Sequence, residues 1–438
     1  MTSSVPVQEV DDPPAPPPGP PGPPRSRVKR RLYPMLATLG LIIIGMSSSL
    51  YWGPHLAGLT AWALPHDLWG TIIAADRLLH GRLGALYTQP TGLITLPGGA
   101  LILVPIAAVL DMAGLPLHVP GHGADPTSWL YAGPYQCAIS AVPLFAADAI
   151  AEHLGLPARR RLLLAAAGAV LLWNVTIRWG HPEDAVAVGL LMYAVLGLAK
   201  AEKPNRSAWL FGLAVAVQPL VLLALPVVLA VMKPNRIAGY VTRAAIPGVA
   251  LLGAAAIANW HATYVAVTSQ PNWPNVDHPT PWLALAARLP NGAVAAGPSR
   301  ILAIVVACGC AILVWRQCRV AREPGAWDSQ TLLKVLWWVA IALAVRSAFE
   351  PVMVAYYVWP SLAIALVTAA ATGSALFNTS VVAAIITFTS QSTWRSPWTW
   401  WAPLIAGLCV TLYLARVRRQ PAPAPPPAPP PALVTVPG

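Results

Sequence analysis

The chain has 438 residues, 56% of them hydrophobic and only 10% charged, with a mean hydropathy of +0.59 and a formal net charge of +12. A soluble domain carries about 25% charged residues, so an ordinary soluble fold is excluded and a polytopic helical membrane protein is expected. The basic excess does not point to nucleic acid, because it gathers at the ends of apolar runs.

In chain order, residues 1–31 form a polar tail whose stretch 13–24 is almost pure Pro, Ala and Gly, and residues 417–438 end the chain in the same way. Such tails are expected to be disordered or polyproline-like, either solvated or serving as arms for a proline-recognising protein. No secretory leader is expected: the first apolar run begins near Leu32 and continues for a full span. Between the tails, residues 32–416 are expected to form one all-α transmembrane domain.

Lys and Arg cluster at 25–31, 159–161, 200–206, 233–243, 316–322 and 416–419. The positive-inside rule places all six clusters in the cytoplasm. Residues 92–110 are apolar enough to span, yet a crossing there would put 159–161 outside. Their two prolines and the Gly98-Gly99 pair suit a broken, re-entrant path. Residues 208–232 lie between two Lys-Pro-Asn-Arg loops and are read as a short hairpin broken near Gln218-Pro219, both ends cytoplasmic. Spans are then expected at about 33–53, 131–152, 162–179, 184–200, 207–219, 220–232, 240–260, 299–316, 329–348, 354–372, 379–393 and 398–416. That makes a twelve-segment, multi-pass protein of the plasma (inner) membrane with both termini cytoplasmic.

Two outer loops, 53–130 and 261–298, are long enough to build a site. The first carries an amphipathic stretch over 68–83, with Leu68, Ile72, Ile73, Leu79 and Leu83 opposite Asp76, Arg77, His80 and Arg82, expected to lie as a helix on the membrane surface. The second, rich in Trp, Pro and Asn, is expected to be an ordered lid. This map sends all histidines but His153 to the outer face, together with Asp67, Asp76, Asp111, Asp125, Glu183, Asp184, Asp277 and Glu350. Membrane insertion does not require that enrichment, so it points to chemistry there. The five cysteines show no metal-ligand spacing with His and are read as packing residues.

The turn Trp179-Gly-His-Pro-Glu-Asp184 joins two uncharged arms, 162–173 and 185–199. Ionisable groups at membrane depth are costly and mark reaction or transport sites, so Arg178, His181, Glu183 and Asp184 form the first candidate cluster, with Asp67 from upstream. Glu183 and Asp184 have two roles open to them: holding substrate hydroxyls or, with His181, a divalent cation, and capping the helix that starts there. Arg346 and Glu350 are four apart and able to pair.

The outer segments Pro65-His66-Asp67, Gly81-Arg-Leu-Gly-Ala-Leu-Tyr87 and Leu96-Pro-Gly-Gly-Ala-Leu-Ile-Leu-Val-Pro105 together resemble the first outer loop of GT-C glycosyltransferases, particularly actinobacterial mannosyl- and arabinosyltransferase-like membrane proteins. The turn 179–191 is similar to that superfamily's Gly-His/Gln turn, residues 208–219 look like its cytoplasmic hairpin, and Tyr356-Tyr357-Val-Trp-Pro360 resembles its late aromatic-Pro segment. The resemblance covers residues 33–416. One departure is Gln218, where lysine is common.

The resemblance implies transfer of a sugar, mannose or arabinose, from a polyprenyl phosphate to a glycan or glycolipid hydroxyl outside the bilayer. It implies Asp67 as the base that takes the acceptor proton, with His66 orienting it or touching sugar. It makes Arg346 the phosphate ligand, since a guanidinium binds phosphate bidentately. His181, Glu183, Asp184, Glu350, Asp277, His278 and Tyr357 are the remaining substrate-binding candidates. The resemblance fixes no cofactor, and a divalent cation remains open. Two readings compete: a transporter or flippase of a lipid-linked sugar, and a non-catalytic scaffold with proline tails as docking arms. Inverted repeats would favour the transporter, and no clear halves are visible.

Overall fold

A computed structural model describes residues 31–52, 66–88, 93, 95–117, 126–200, 204–289, 292–295, 297–318, 327–394 and 396–417. The proline-rich tails expected to be disordered lie outside the described residues but for their innermost one, as do His55, His118, His122 and Asp125. What is described is mostly helical, with four two-residue strands.

The chain opens with α1 (Leu32–Trp52), α2 (His66–Leu79), α3 (Pro97–Leu101) and α4 (Val104–Met112). Then follow α5 (Pro126–Ser140), α6 (Val142–His153), α7 (Ala158–Trp173), a π-helical turn (Asn174–Trp179) and α8 (Pro182–Ala199). Next come α9 (Pro204–Val217), a 3₁₀ segment (Pro219–Ala224), α10 (Leu225–Ala230), α11 (Pro234–Ala258) and α12 (Trp260–Ser269). Strands β1 (His278–Pro279), β2 (Ala287–Arg288) and β3 (Val294–Ala295) precede α13 (Gly297–Gln317) and α14 (Ser329–Phe349). The chain closes with β4 (Val352–Met353), a 3₁₀ turn (Ala355–Val358), α15 (Trp359–Ala369), α16 (Gly373–Thr389) and α17 (Pro397–Leu414).

Five helices are long and apolar enough to cross a membrane: Ala158–Trp179, Pro182–Ala199, Pro234–Ala258, Ser299–Gln317 and Ser329–Phe349. Shorter apolar helices occupy Leu32–Ser47, Pro219–Ala230, Ala355–Ala369 and Gly373–Thr389. Burial ranks them: 83% of the apolar window in Pro182–Ala199 is buried against 11% in Pro234–Ala258. α8 is therefore the central helix, and α11 turns its apolar surface outward.

Two expectations need correcting in detail. The amphipathic stretch 68–83 does form a helix, but α2 stops at Leu79 because Gly81 takes a left-handed conformation (φ +66) that ends it. Its apolar stripe is also consumed by protein: Leu68, Trp69 and Ile72 are buried in a core shared with α3, α4 and α5, whereas Leu79 is turned out. The expected span 131–152 is two helices meeting at Ala141, with Pro134 inside the first and Pro143 opening the second.

The apolar run 92–110 is broken, as its prolines and glycines require: α3 and α4 hold five and nine residues, each too short to span. Here the glycines have a packing reason. A Cβ on Gly98 would collide with the Ala216 carbonyl, and one on Gly99 would lie 2.8 Å from Thr95 Oγ1 and 3.2 Å from Val217 O. The chain does break at Gln218-Pro219, and α3 rests against the last turn of α9 just before it. The two arms beyond this break pack on different neighbours, α9 between α8 and α11, α10 against α13 and α14.

Candidate functional site

The site is assembled around the left-handed Gly180 (φ +70, ψ +43), which caps the π-helical turn and reverses the chain into α8. A non-glycine residue would be strained there. Pro182 occupies the first position of α8, where its missing N–H costs nothing. His181 Nδ1 lies 2.6 Å from Glu183 Oε1, and its Nε2 lies 3.1 Å from Asp67 Oδ2 in the first turn of α2. Its ring stacks on Tyr356, centroids 4.2 Å apart. Gln218, at the break after α9, donates from Nε2 to Asp184 Oδ1 at 2.5 Å.

Of the two roles open to Glu183 and Asp184, neither is excluded: both lie in the first turn of α8, where negative charge favours the N-terminus, and their side-chain hydrogen bonds go to His181 and Gln218. Both residues are buried, at 2% and 1% exposure, and Glu183 Oε2 and Asp184 Oδ2 find no hydrogen-bond partner among the described residues. Such groups are normally paired or neutralised. Burial pushes the His181 value down, but the Glu183 charge and the hydrogen bonds that the ring donates to Asp67 and Glu183 outweigh it, holding His181 well above the usual histidine range.

A second polar group faces this one. Glu350 Oε1 accepts from Arg300 Nη2 at 3.0 Å, and its Oε2 lies 3.7 Å from Arg346 Nε, so the pairing open to Arg346 and Glu350 is made. The Arg346 guanidinium sits 3.7 Å over the Tyr357 ring. Arg300 also donates to the Gln270 side chain, and Gln270 is the one non-glycine residue with positive φ among those described.

Both groups meet at a cavity of about 450 Å³ whose wall includes His181, Gln218, Gln270, Arg300, Arg346, Glu350, Tyr356 and Tyr357. The rest of its lining is largely apolar, with Leu220, Leu222, Leu223, Leu225, Ala303 and Ile304. Leu222 and Leu225 also line a neighbouring cleft of about 260 Å³, otherwise walled by residues such as Leu96, Phe211, Val215, Val241, Val249 and Leu252. Comparison with protein-family models and with curated proteins gives no match.

Most of the residues expected at the site are brought together: Asp67, His181, Glu183, Asp184, Arg346, Glu350 and Tyr357. Asp67 is not part of the cavity wall. It reaches His181 from outside and keeps 51% of its side chain exposed. His66 opens α2, but its side chain is outside the described ones. Asp277 and His278 do not line the cavity, because β1 pairs antiparallel with β4 and the His278 ring lies flat on Trp400, centroids 3.9 Å apart. Arg178 is exposed and joins neither group. Outside the cavity, Asp76, His80 and Asp111 offer ligand atoms within 4.8 Å of one another and could hold a metal ion.

Arg300 was not among the expected site residues, although an arginine at the end of an apolar helix is the same signal that singled out Arg346. Gln270 carried no sequence signal. Its place depends on where α12 ends, since Gln270 is the residue that caps it, and local pattern does not encode that.

Proposed function

We propose that this chain is an integral membrane glycosyltransferase that moves a sugar, mannose or arabinose, from a polyprenyl phosphate to a cell-envelope glycan or glycolipid on the outer face. Twelve membrane passes, a GT-C-like fold and cytoplasmic termini belong to the same reading. The observation that carries it is the cavity itself, in which two arginines and His181, the imidazole held between the Asp67 and Glu183 carboxylates, share one space with a leucine-lined wall. That combination suits a ligand with an anionic head and a long apolar tail.

In this reading Arg346 and Arg300 take the donor phosphate, exchanging part of their contact with Glu350 for it. The prenyl chain lies along Leu222 and Leu225 into the neighbouring apolar cleft. The acceptor hydroxyl approaches from the exposed side of Asp67 and gives up its proton to that carboxylate while its oxygen attacks the anomeric carbon. The bond from that carbon to the phosphate oxygen breaks, and the electron pair left on the phosphate is stabilised by the two guanidinium groups. A transporter would use the same amphiphilic cavity but has no need of the buried cluster at His181.

The test is incubation of the purified protein with polyprenyl-phosphate mannose and polyprenyl-phosphate arabinose and a glycan acceptor. Sugar should appear on the acceptor, and Asp67→Asn should lower its rate by about 10²–10⁴, the usual contribution of a general base. Movement of intact lipid-linked sugar between leaflets with no transfer would favour the transporter. A near-normal Asp67→Asn enzyme would move the base to another carboxylate.

A further inference from the structure

Glu183 has no route to the reacting atoms of its own: it is buried, it is absent from the cavity wall, and its one hydrogen bond among the described residues goes to His181 Nδ1 at 2.6 Å. His181 in turn lies 3.1 Å from Asp67, whose side chain is half exposed. Three groups from two elements therefore stand in line, with only the outer one in the open. We propose that Glu183, His181 and Asp67 work as one unit, in which Glu183 is a positioning residue acting on the Asp67 carboxylate through the His181 ring. The inference rests on the reading of Asp67 as the base.

The physical argument is charge balance. Two carboxylates this close to a neutral imidazole would place two negative charges at a site where Glu183 is out of water. An imidazolium donating from both nitrogens leaves the unit with one net negative charge. When the acceptor O–H bond breaks, its proton goes to the Asp67 carboxylate and the unit becomes neutral. The acceptor oxygen meanwhile bonds to the anomeric carbon, and the electron pair of the broken glycosidic bond leaves with the phosphate. The ring cannot rotate away, because Tyr356 stacks on it at 4.2 Å. The other ionisable groups around it are Asp184, beside Glu183 and held by Gln218, and Arg346 across Asp184.

The experiment is titration of the His181 ring by nitrogen and carbon NMR in detergent-solubilised protein labelled at histidine, the signal being assigned by its loss in His181→Gln. The wild-type ring should remain doubly protonated through neutral pH. Glu183→Gln keeps an acceptor oxygen but removes the charge, and should lower the midpoint by about one to three units. In the transfer assay the alkaline limb of kcat should move down by the same shift. At neutral pH kcat should fall by up to about 10²-fold, the cost of a slightly misplaced catalytic group, with KM for the donor unchanged.

An unshifted midpoint in Glu183→Gln, or a shifted midpoint with an unchanged kcat profile, overturns the proposal. So does an equal loss of rate at every pH together with lowered thermal stability, which would make Glu183 only structural. Absence of transfer by the wild type overturns the glycosyltransferase reading instead, and the NMR titration then still decides whether Glu183 governs the ring.

Discussion

Arg346 has to satisfy two neighbours at once. Its guanidinium covers the Tyr357 ring at 3.7 Å and approaches Glu350 at 3.7 Å while lining the cavity. A lysine keeps the charge but loses the planar fork that stacks and binds phosphate bidentately. Arg346→Lys should therefore weaken binding of polyprenyl phosphate by about 1.5 kcal/mol, roughly tenfold, as measured by calorimetry. Glu350→Gln serves as the control, and equal affinity in wild type and Arg346→Lys would make the pair purely structural. His181 yields a pH prediction. Its native value is raised, so the stability it contributes is complete below about pH 6.5, the unfolded value, and is lost as pH rises through the native value. The melting temperature should fall on the alkaline side in the wild type, and His181→Gln should flatten that fall. Residues of this kind were legible in the sequence because charge stands out in apolar surroundings. Their partners were legible only in part: Asp67, 114 positions away, belongs to the cluster expected at the turn 179–184, whereas nothing in the sequence indicates that Arg300 bonds Glu350 across 50.

Among the elements, the closest constraint is the approach of α3 to the end of α9. Gly98 has no room for a methyl group because backbone, rather than a flexible side chain, lies against it. Gly98→Ala should cost about 3 kcal/mol, the upper range for overpacking, visible as a lowered melting temperature. Gly253→Ala in α11 is the comparison: a Cβ there meets nothing within 4 Å, and no loss is expected. If both variants melt alike, the close contact is not made. Proline and glycine signals located the breaks at Gln218-Pro219 and within 92–110 because these residues act locally through their own φ angle or missing N–H. The π-helical turn was not anticipated. It is held from a distance, by Gln136 donating to Thr176 O at 3.0 Å and by Gln391, which bonds both Asn174 and Trp179.

At the scale of the whole molecule, sidedness is the property on which the proposed chemistry depends. Asn205 and Asn235 stand in matching Lys-Pro-Asn-Arg sequences on either side of the broken segment, and both should be cytoplasmic. Single cysteines placed there, in a background lacking the exposed Cys308 and Cys409, should react with an impermeant maleimide only after the membrane is opened. Reaction of one from outside and the other only from inside would turn the segment into a single crossing. Hydropathy made the helical membrane class readable from composition alone, since burial in lipid needs only apolar residues in sufficient number. It could not rank the helices by depth within the bundle, because α8 and α11 have nearly equal hydropathy, 1.5 and 1.7, and opposite degrees of burial.

The cavity and its neighbouring cleft have a consequence for how concentration should be defined. Leu222, Ile304 and Val249 on their walls are exposed at 45%, 54% and 67%, and apolar surface of that kind on a transmembrane bundle is covered by acyl chains. In the proposed reading, a polyprenyl donor arrives by diffusing sideways in two dimensions, never through water. Saturation should follow the mole fraction of donor in the bilayer. Diluting a fixed amount of donor with inert lipid should lower occupancy, whereas enlarging the aqueous volume at constant composition should leave it unchanged.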